Sequence, residues 1–158
     1  MNFGNVKEIT IPEGKVSEII DSAGKSLWKA GPGYIYLKMI DRSISGAYTN
    51  EIVESIGDNA FRGCYKLITV NLSAATSIGD SAFMSCSALT TLILRSETIA
   101  ILRSTNAFFG TPIKSGTGYI YVPAALVDTY KAATNWSTYA NQIRAIEDYP
   151  EITGGEVA

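Results

Sequence analysis

Two cysteines, Cys64 and Cys86, sit 22 residues apart in nearly the same words, SIGDNAFRGC and SIGDSAFMSC. If these segments lie on neighbouring coils about 4.8 Å apart, the thiols come near disulfide reach. The competing reading is a pair of buried free thiols that simply fill a core, the usual place of an unbonded cysteine. Two cysteines are too few for a disulfide framework or a four-thiolate zinc site. Asp58 and Asp80 recur in the same phase, and paired carboxylates could bind calcium or work as acid and base. Few acidic neighbours surround them, and an Asp after Gly in a tight bend is expected to bond its own backbone. The glycines and lysine of GTPIKSGTG (Gly110–Gly118) lack the spacing of a phosphate-binding loop, and Pro112 interrupts them. The chain has no histidine, so its serines have no imidazole base for a triad. Catalytic residues, metal ligands and cofactors are therefore all read as none.

The bulk composition agrees with that reading. The 158 residues carry 13 basic and 15 acidic side chains, for a net charge of −2. No nucleic-acid partner is expected from such a balance, which lacks a basic surplus. No apolar run is long enough to span a membrane. The opening MNFGNVKEIT lacks the basic region and apolar stretch of a signal peptide.

The duplicated words belong to a longer repeat. Ile56, Gly57, Asp58, Ala60, Phe61, Cys64, Leu67, Thr69 and Leu72 align with Ile78, Gly79, Asp80, Ala82, Phe83, Cys86, Leu89, Thr91 and Leu94. The period is 22 residues, within the range of about 20–29 for leucine-rich repeats. LITVNL and LTTLIL read as short strands, with Leu67, Val70, Leu72, Leu89, Leu92 and Leu94 inward. GDNAF and GDSAF read as bends leading into one helical or 3₁₀ turn. A looser third copy has Ala107-Phe108 at a spacing of 25 and the strand GYIYVP, with Ile120 and Val122 inward. YIYLKMIDRSI (Tyr34–Ile44) is expected to supply a leading strand. One repeat cannot bury its apolar face alone, so the copies should stack Phe on Phe and Leu on Leu.

Open solenoid ends need covers. AALVDTYKAAT places Leu126, Val127, Tyr130 and Ala133 on one helical face, and NWSTYANQIRAI presents Trp136, Tyr139, Ile143 and Ile146. Before the repeats, ITIPEG and VSEIIDSAGKSLW read as strands, with a hairpin turn at Asp21-Ser22-Ala23-Gly24 and a hinge at AGPG (Ala30–Gly33). The predicted fold is a right-handed α/β solenoid of short leucine-rich repeats. Residues 1–33 form an N-terminal β-hairpin appendage, 34–123 the solenoid, 124–149 a C-terminal helical cap and 150–158 a tail.

SIGDNAFRGCYKLITVNL and SIGDSAFMSCSALTTLIL resemble the BspA-type leucine-rich repeat. NAFFGTPIKSGTGYIYVP through IRAIED is similar to the unit that closes such arrays. ITIPEGKVSEIIDSAGKSLW is similar to openings of short proteins encoded in prophages of gut Firmicutes. The resemblance implies surface exposure, adhesion to host proteins or other cells, or a tail-associated place in a virion, and it brings no catalytic motif. The expected role is recognition, with a structural spacer or assembly subunit as the alternative. The expected partner is a protein or glycan on a host or bacterial surface, or other virion proteins. The expected location is the bacterial cell surface or a phage virion. Oligomerisation would run through the N-terminal strands. The extended strand face is the default binding surface of a solenoid. Its outward residues are Thr69, Asn71, Thr91, Ile93, Arg95, Tyr119 and Tyr121.

Overall fold

A computed structural model describes residues 6–10, 18–21, 26–31 and 34–154, with side chains from residue 37 onward. The Asp21–Gly24 turn and the hinge at Ala30–Gly33 lie partly outside the described residues. The chain winds between two sheets. The first has seven strands, β1 (Val6–Thr10), β2 (Glu18–Asp21), β3 (Ser26–Gly31), β4 (Tyr34–Leu37), β6 (Ser55–Ile56), β8 (Ser77–Ile78) and β10 (Ile101–Leu102). The second has five, in the order β5 (Ser45–Asn50), β7 (Lys66–Leu72), β9 (Thr91–Leu94), β11 (Tyr119–Val122) and β12 (Ile143–Ala145). β1 to β4 pair antiparallel; every later pairing is parallel. From β4 to β11 the chain visits the sheets alternately, so each coil contributes one strand to each side of a shared core.

The register follows the sequence repeat. Ile56 pairs with Ile78 and Val70 with Leu92, each 22 residues on. At the third coil Ile120 pairs with Leu92, and 120 − 92 = 28. Half of the surplus accrues before Phe108, which follows Phe83 by 25 residues, and the rest is taken up by α1 (Pro112–Ser115). Thr111 caps it by accepting from the Lys114 N–H, Pro112 opens it, and Gly116 ends it at φ 91°. GTPIKSGTG is thus a capped helical turn that takes up the later part of the insertion.

The bends do more than reverse the chain. The i→i+3 bonds fall at alternate residues, Ala60 N–H to Gly57 O, Arg62 N–H to Asn59 O and Cys64 N–H to Phe61 O, so the first two bends are chained turns and not a continuous 3₁₀ helix. Left-handed residues interrupt the first two copies, at Asn59 and Gly63 and again at Ser81 and Ser85, whereas Thr105–Phe108 forms a 3₁₀ turn proper. The bends also bond from coil to coil: Phe61 N–H donates to Ala82 O and Gly63 N–H to Met84 O (2.7 and 2.8 Å). Phe83 N–H then donates to Ala107 O and Ser85 N–H to Phe109 O. Asp58 joins this ladder. Its carboxylate accepts from the Asp80 N–H at 2.8 Å, on the next coil, and not from its own bend. A Cβ at Gly79 would sit 2.5 Å from Asp58 N and Oδ1, which is why the bend begins with glycine.

Each of the expected inward residues Leu67, Val70, Leu72, Leu89, Leu92, Leu94, Ile120 and Val122 is buried. Between the sheets runs a line of rings. Tyr48 meets Phe61 edge-on at 5.2 Å, Phe61 stacks on Phe83 at 4.9 Å, and Phe83 stacks on Phe108 at 5.6 Å. Phe108 then meets Tyr139 edge-on at 5.1 Å, with Trp136 tilted at 6.1 Å. Cys64 and Cys86 are free and fully buried beside it. The Cys86 thiol donates to Phe61 O at 3.0 Å. Its hydrogen bond with Cys64 and then burial hold it protonated, far above the ordinary thiol range.

Two segments depart from the sequence reading. Only Tyr34–Leu37 of the expected leading strand is extended there. The strand that pairs with β7 is β5, SGAYTN, which carries Tyr48 where later coils have Val70 and Leu92, and Asn50 where they have Leu72 and Leu94. Asn50 is tolerated in the core because its Oδ1 accepts from Ile52 N–H and Val53 N–H while its amide donates to Tyr48 Oη. At the other end the helical portion is Ala124–Leu126 and α2 (Val127–Ala132), followed by a 3₁₀ stretch over Trp136–Gln142. Ile143–Ala145, placed in a helical cap by its spacing, is a strand that extends the five-stranded sheet.

Three outcomes follow from this core. Phe83 stacks on both sides, so Phe83→Ala should cost about 3–5 kcal/mol in chemical denaturation; a near-wild-type midpoint would remove the ring line as a source of stability. Denatured protein should titrate both cysteines with a thiol reagent without prior reduction, while native protein reacts slowly; no free thiol after denaturation would mean a disulfide. Burial raises Tyr48 and Tyr139 to about 12 and also raises Tyr130. The fold therefore holds these phenol protons more tightly than the unfolded chain, whose tyrosines titrate near 10. Their stabilisation is complete below about pH 10 and is lost as pH rises towards 12. Denaturant midpoints should drop steeply over that window, together with tyrosinate absorbance; a flat profile to pH 12 would contradict the burial.

Candidate binding face

The five-stranded sheet turns one side chain in two away from the core, and the register sets these in two rows. Ala47, Thr69, Thr91 and Tyr119 form one row. Thr49, Asn71, Ile93, Tyr121 and Arg144 form the other. The seven residues singled out from the sequence all lie on or beside these rows, Arg95 following β9 directly.

Their surroundings differ sharply between the two halves. Ala47 is exposed, and Thr49, Thr69, Asn71 and Thr91 are half-buried, making an open polar shelf. Ile93 and Tyr121 are only 2% exposed. What covers them is the chain itself. After β12, a 3₁₀ turn (Ile146–Asp148) and α3 (Pro150–Thr153) lie over the sheet. Ile146 packs with Ile93 and Tyr121 in a second apolar cluster, joined by Tyr119 and Tyr149. Trp136, Tyr139 and Ile143 belong to the main core, so Ile146 stands on the opposite side of the sheet from the residues it was grouped with by spacing.

The covered half is aromatic and cationic. The Tyr121 and Tyr149 rings meet edge-on at 5.5 Å. The Arg144 guanidinium lies 3.4 Å from the Tyr119 ring centre and 4.9 Å from that of Tyr149. A cation over a ring contributes about 0.5–2 kcal/mol according to its desolvation. Arg95 donates from Nε to Asn71 Oδ1 at 2.9 Å and from its terminal nitrogen to the Thr153 carbonyl. Thr153 Oγ1 donates to the carbonyls of Ile146 and Tyr149, fastening the segment's own turn. Burial holds the Tyr121 hydroxyl above its ordinary range, against the opposing pull of Arg144.

The sequence pattern does not single out Arg144, Tyr149 or Thr153, and it assigns Ile146 to the cap. A usable signal was present: Arg144 alternates with Ile143 and Ala145, and Pro150 after Tyr149 marks a helix start. Among the described residues, no group of three or more metal-ligating side chains comes together, and no helix is long and apolar enough to cross a membrane. The face offers rings, guanidinium groups, hydroxyls and amides, which suit recognition of another molecule's surface.

The sequence pattern of the BspA type Leucine rich repeat region (6 copies) matches residues 42–122, just over half of the chain. No curated protein and no solved structure matches significantly. The BspA type is a non-catalytic repeat family, generally of surface-associated bacterial proteins, with a protein-binding or scaffold role. On its coils, its register and this match, the chain belongs to the BspA-type leucine-rich repeat family.

Proposed function

We propose that this chain is a recognition module, adhesin-like or phage tail-associated, which binds a protein or glycan through the outward rows of its five-stranded sheet. In this reading residues 34–123 are the recognition body, with the 22-residue repeat spacing the face. Residues 1–33 serve attachment, and residues 124–149 close the core. The bacterial surface or a virion is its place of work. The observation that carries the reading is the shelf of half-buried Thr49, Thr69, Asn71 and Thr91, polar and held on a parallel sheet, beside the half-buried Tyr119. Binding residues on such a scaffold need no ordering when the partner arrives.

A second reading, an assembly subunit, is favoured by β1, which ends the seven-stranded sheet among the described residues and so leaves an edge for another strand. The two are separated by binding the full chain to an array of extracellular-matrix proteins and wall glycans. Thr69→Lys and Thr91→Lys should each weaken capture of the array partner by more than about 1 kcal/mol, with the melting temperature unchanged. Self-association in sedimentation that survives both substitutions, with no array partner, would put the assembly role in place of recognition.

A further inference from the structure

We infer that the C-terminal segment Ile146–Gly154 is a displaceable strap that fills half of the binding face in cis, and that the face takes in trans an acidic protein segment bearing an aromatic side chain. The inference rests on the recognition reading above and names the partner for that face.

The strap is not what closes the core. The third coil is sealed before it by Tyr130, Trp136 and Tyr139, all buried. Trp136 Nε1 donates to Ala100 O, Tyr130 Oη accepts from Ala100 N–H, and Asn135 donates to Leu102 O. β12 then completes the sheet at Ala145. Beyond that point the chain packs on the outer rows, and Glu147 Oε2 accepts from the Ala124 N–H at 2.9 Å. Its anchors are Ile146 and Tyr149, which pack on the outer rows, and Thr153, whose carbonyl meets Arg95. Glu147, Asp148, Pro150, Glu151, Ile152 and Gly154 are exposed. A segment held on a surface by a few anchors, with most of its side chains in solvent, opens at a fraction of the global unfolding free energy.

The chemistry of the strap describes its replacement. Tyr149 lies between Tyr121 and the Arg144 guanidinium. The Thr153 carbonyl meets Arg95. The strap carries Glu147, Asp148 and Glu151 and no basic residue, while the face presents Arg95 and Arg144. A competing segment therefore needs a ring for the Tyr149 place, a main-chain carbonyl for Arg95 and negative charge around both. A cis segment acts at an effective concentration in the millimolar range, so a trans ligand binds weakly until the strap is loosened.

The test uses the full chain and a labelled peptide of residues 146–158, IEDYPEITGGEVA. In wild type, hydrogen exchange of the 146–154 amides should be at least tenfold faster than that of the β7, β9 and β11 amides. In full-chain Tyr149→Ala the melt should stay cooperative, strap exchange should rise a further tenfold or more, and the peptide should bind at least tenfold tighter than to wild type. The same peptide with Tyr149→Ala should bind neither protein. Strap amides that exchange only with the sheet amides in wild type would show an integral element and overturn the inference. So would a Tyr149→Ala chain that does not fold, or one that binds the peptide no better than wild type. A strap that opens and is replaced in trans, with no array partner found, would leave the strap standing and remove the recognition reading alone.

Discussion

The stacking of Phe61 on Phe83 and of Phe83 on Phe108 is the contact on which the rest of the molecule depends. Each coil is too thin to bury its own apolar face, so the ring of one coil must serve as the wall of the next. Ring spacing of about 5 Å matches the spacing of paired strands, and that match lets the bends, the short strands and the rings share one register. The carbonyl of Ala82 accepts from Phe61 N–H and that of Ala107 from Phe83 N–H, so the backbone of each bend is bonded at the residue beside the stacked ring. Gly79 and the Asp58 carboxylate are consequences of this close approach: the coils are too near for a Cβ, and the exposed N–H of Asp80 finds its acceptor one coil back.

The two ends of the stack are finished by different chemistry. At the first coil, Tyr48 offers an edge to Phe61, and Asn50 ends the strand by accepting two backbone N–H groups. At the last coil the difficulty is β10, whose outward backbone groups would otherwise present a pairing edge. Tyr130 and Trp136 occupy the N–H and carbonyl of Ala100 just before β10, and Asn135 the carbonyl of Leu102 within it. The same rings that close the core thereby cover the strand's flank: Tyr130 packs on Trp136 and Trp136 on Phe108, while the polar tips of both meet the backbone of Ala100.

What was legible in the sequence is what repeats. Ile56 and Ile78, Phe61 and Phe83, Cys64 and Cys86 identify one another because neighbouring coils impose the same environment on each. The strand of the first coil was hidden for the same reason in reverse: an end coil has a neighbour on one side only, and SGAYTN spends its inward positions on Tyr48 and Asn50, which carry no leucine signature. Ile143–Ala145 was read as helical because Trp136, Tyr139, Ile143 and Ile146 are spaced three to four apart. Its extended form is dictated by β11, which offers a free edge to whatever follows. Alternation sets which side chains of each strand turn away from the core, but it says nothing of what comes back to cover them. The bond from Arg95 to Thr153 joins residues 58 apart, and no local pattern encodes such a return.

That return changes what the repeat can do. A bare face of Thr69, Asn71, Thr91, Ile93, Tyr119 and Tyr121 would expose an isoleucine and two rings side by side, an apolar patch of the kind that invites non-specific association. Folding Ile146 and Tyr149 over it leaves a polar shelf uncovered and buries most of the aromatic half; on the strap proposal, that half is kept for a partner able to replace the contacts already made. Specificity is then a difference between two bound states of one surface, the strap and its competitor, rather than a difference between a bound state and water. Arg144 is central to that difference. It comes from β12, the strand that precedes the strap, and its guanidinium faces Tyr119 of the sheet as well as Tyr149 of the strap. When Tyr149 leaves, Arg144 remains over Tyr119, already positioned for the next ring.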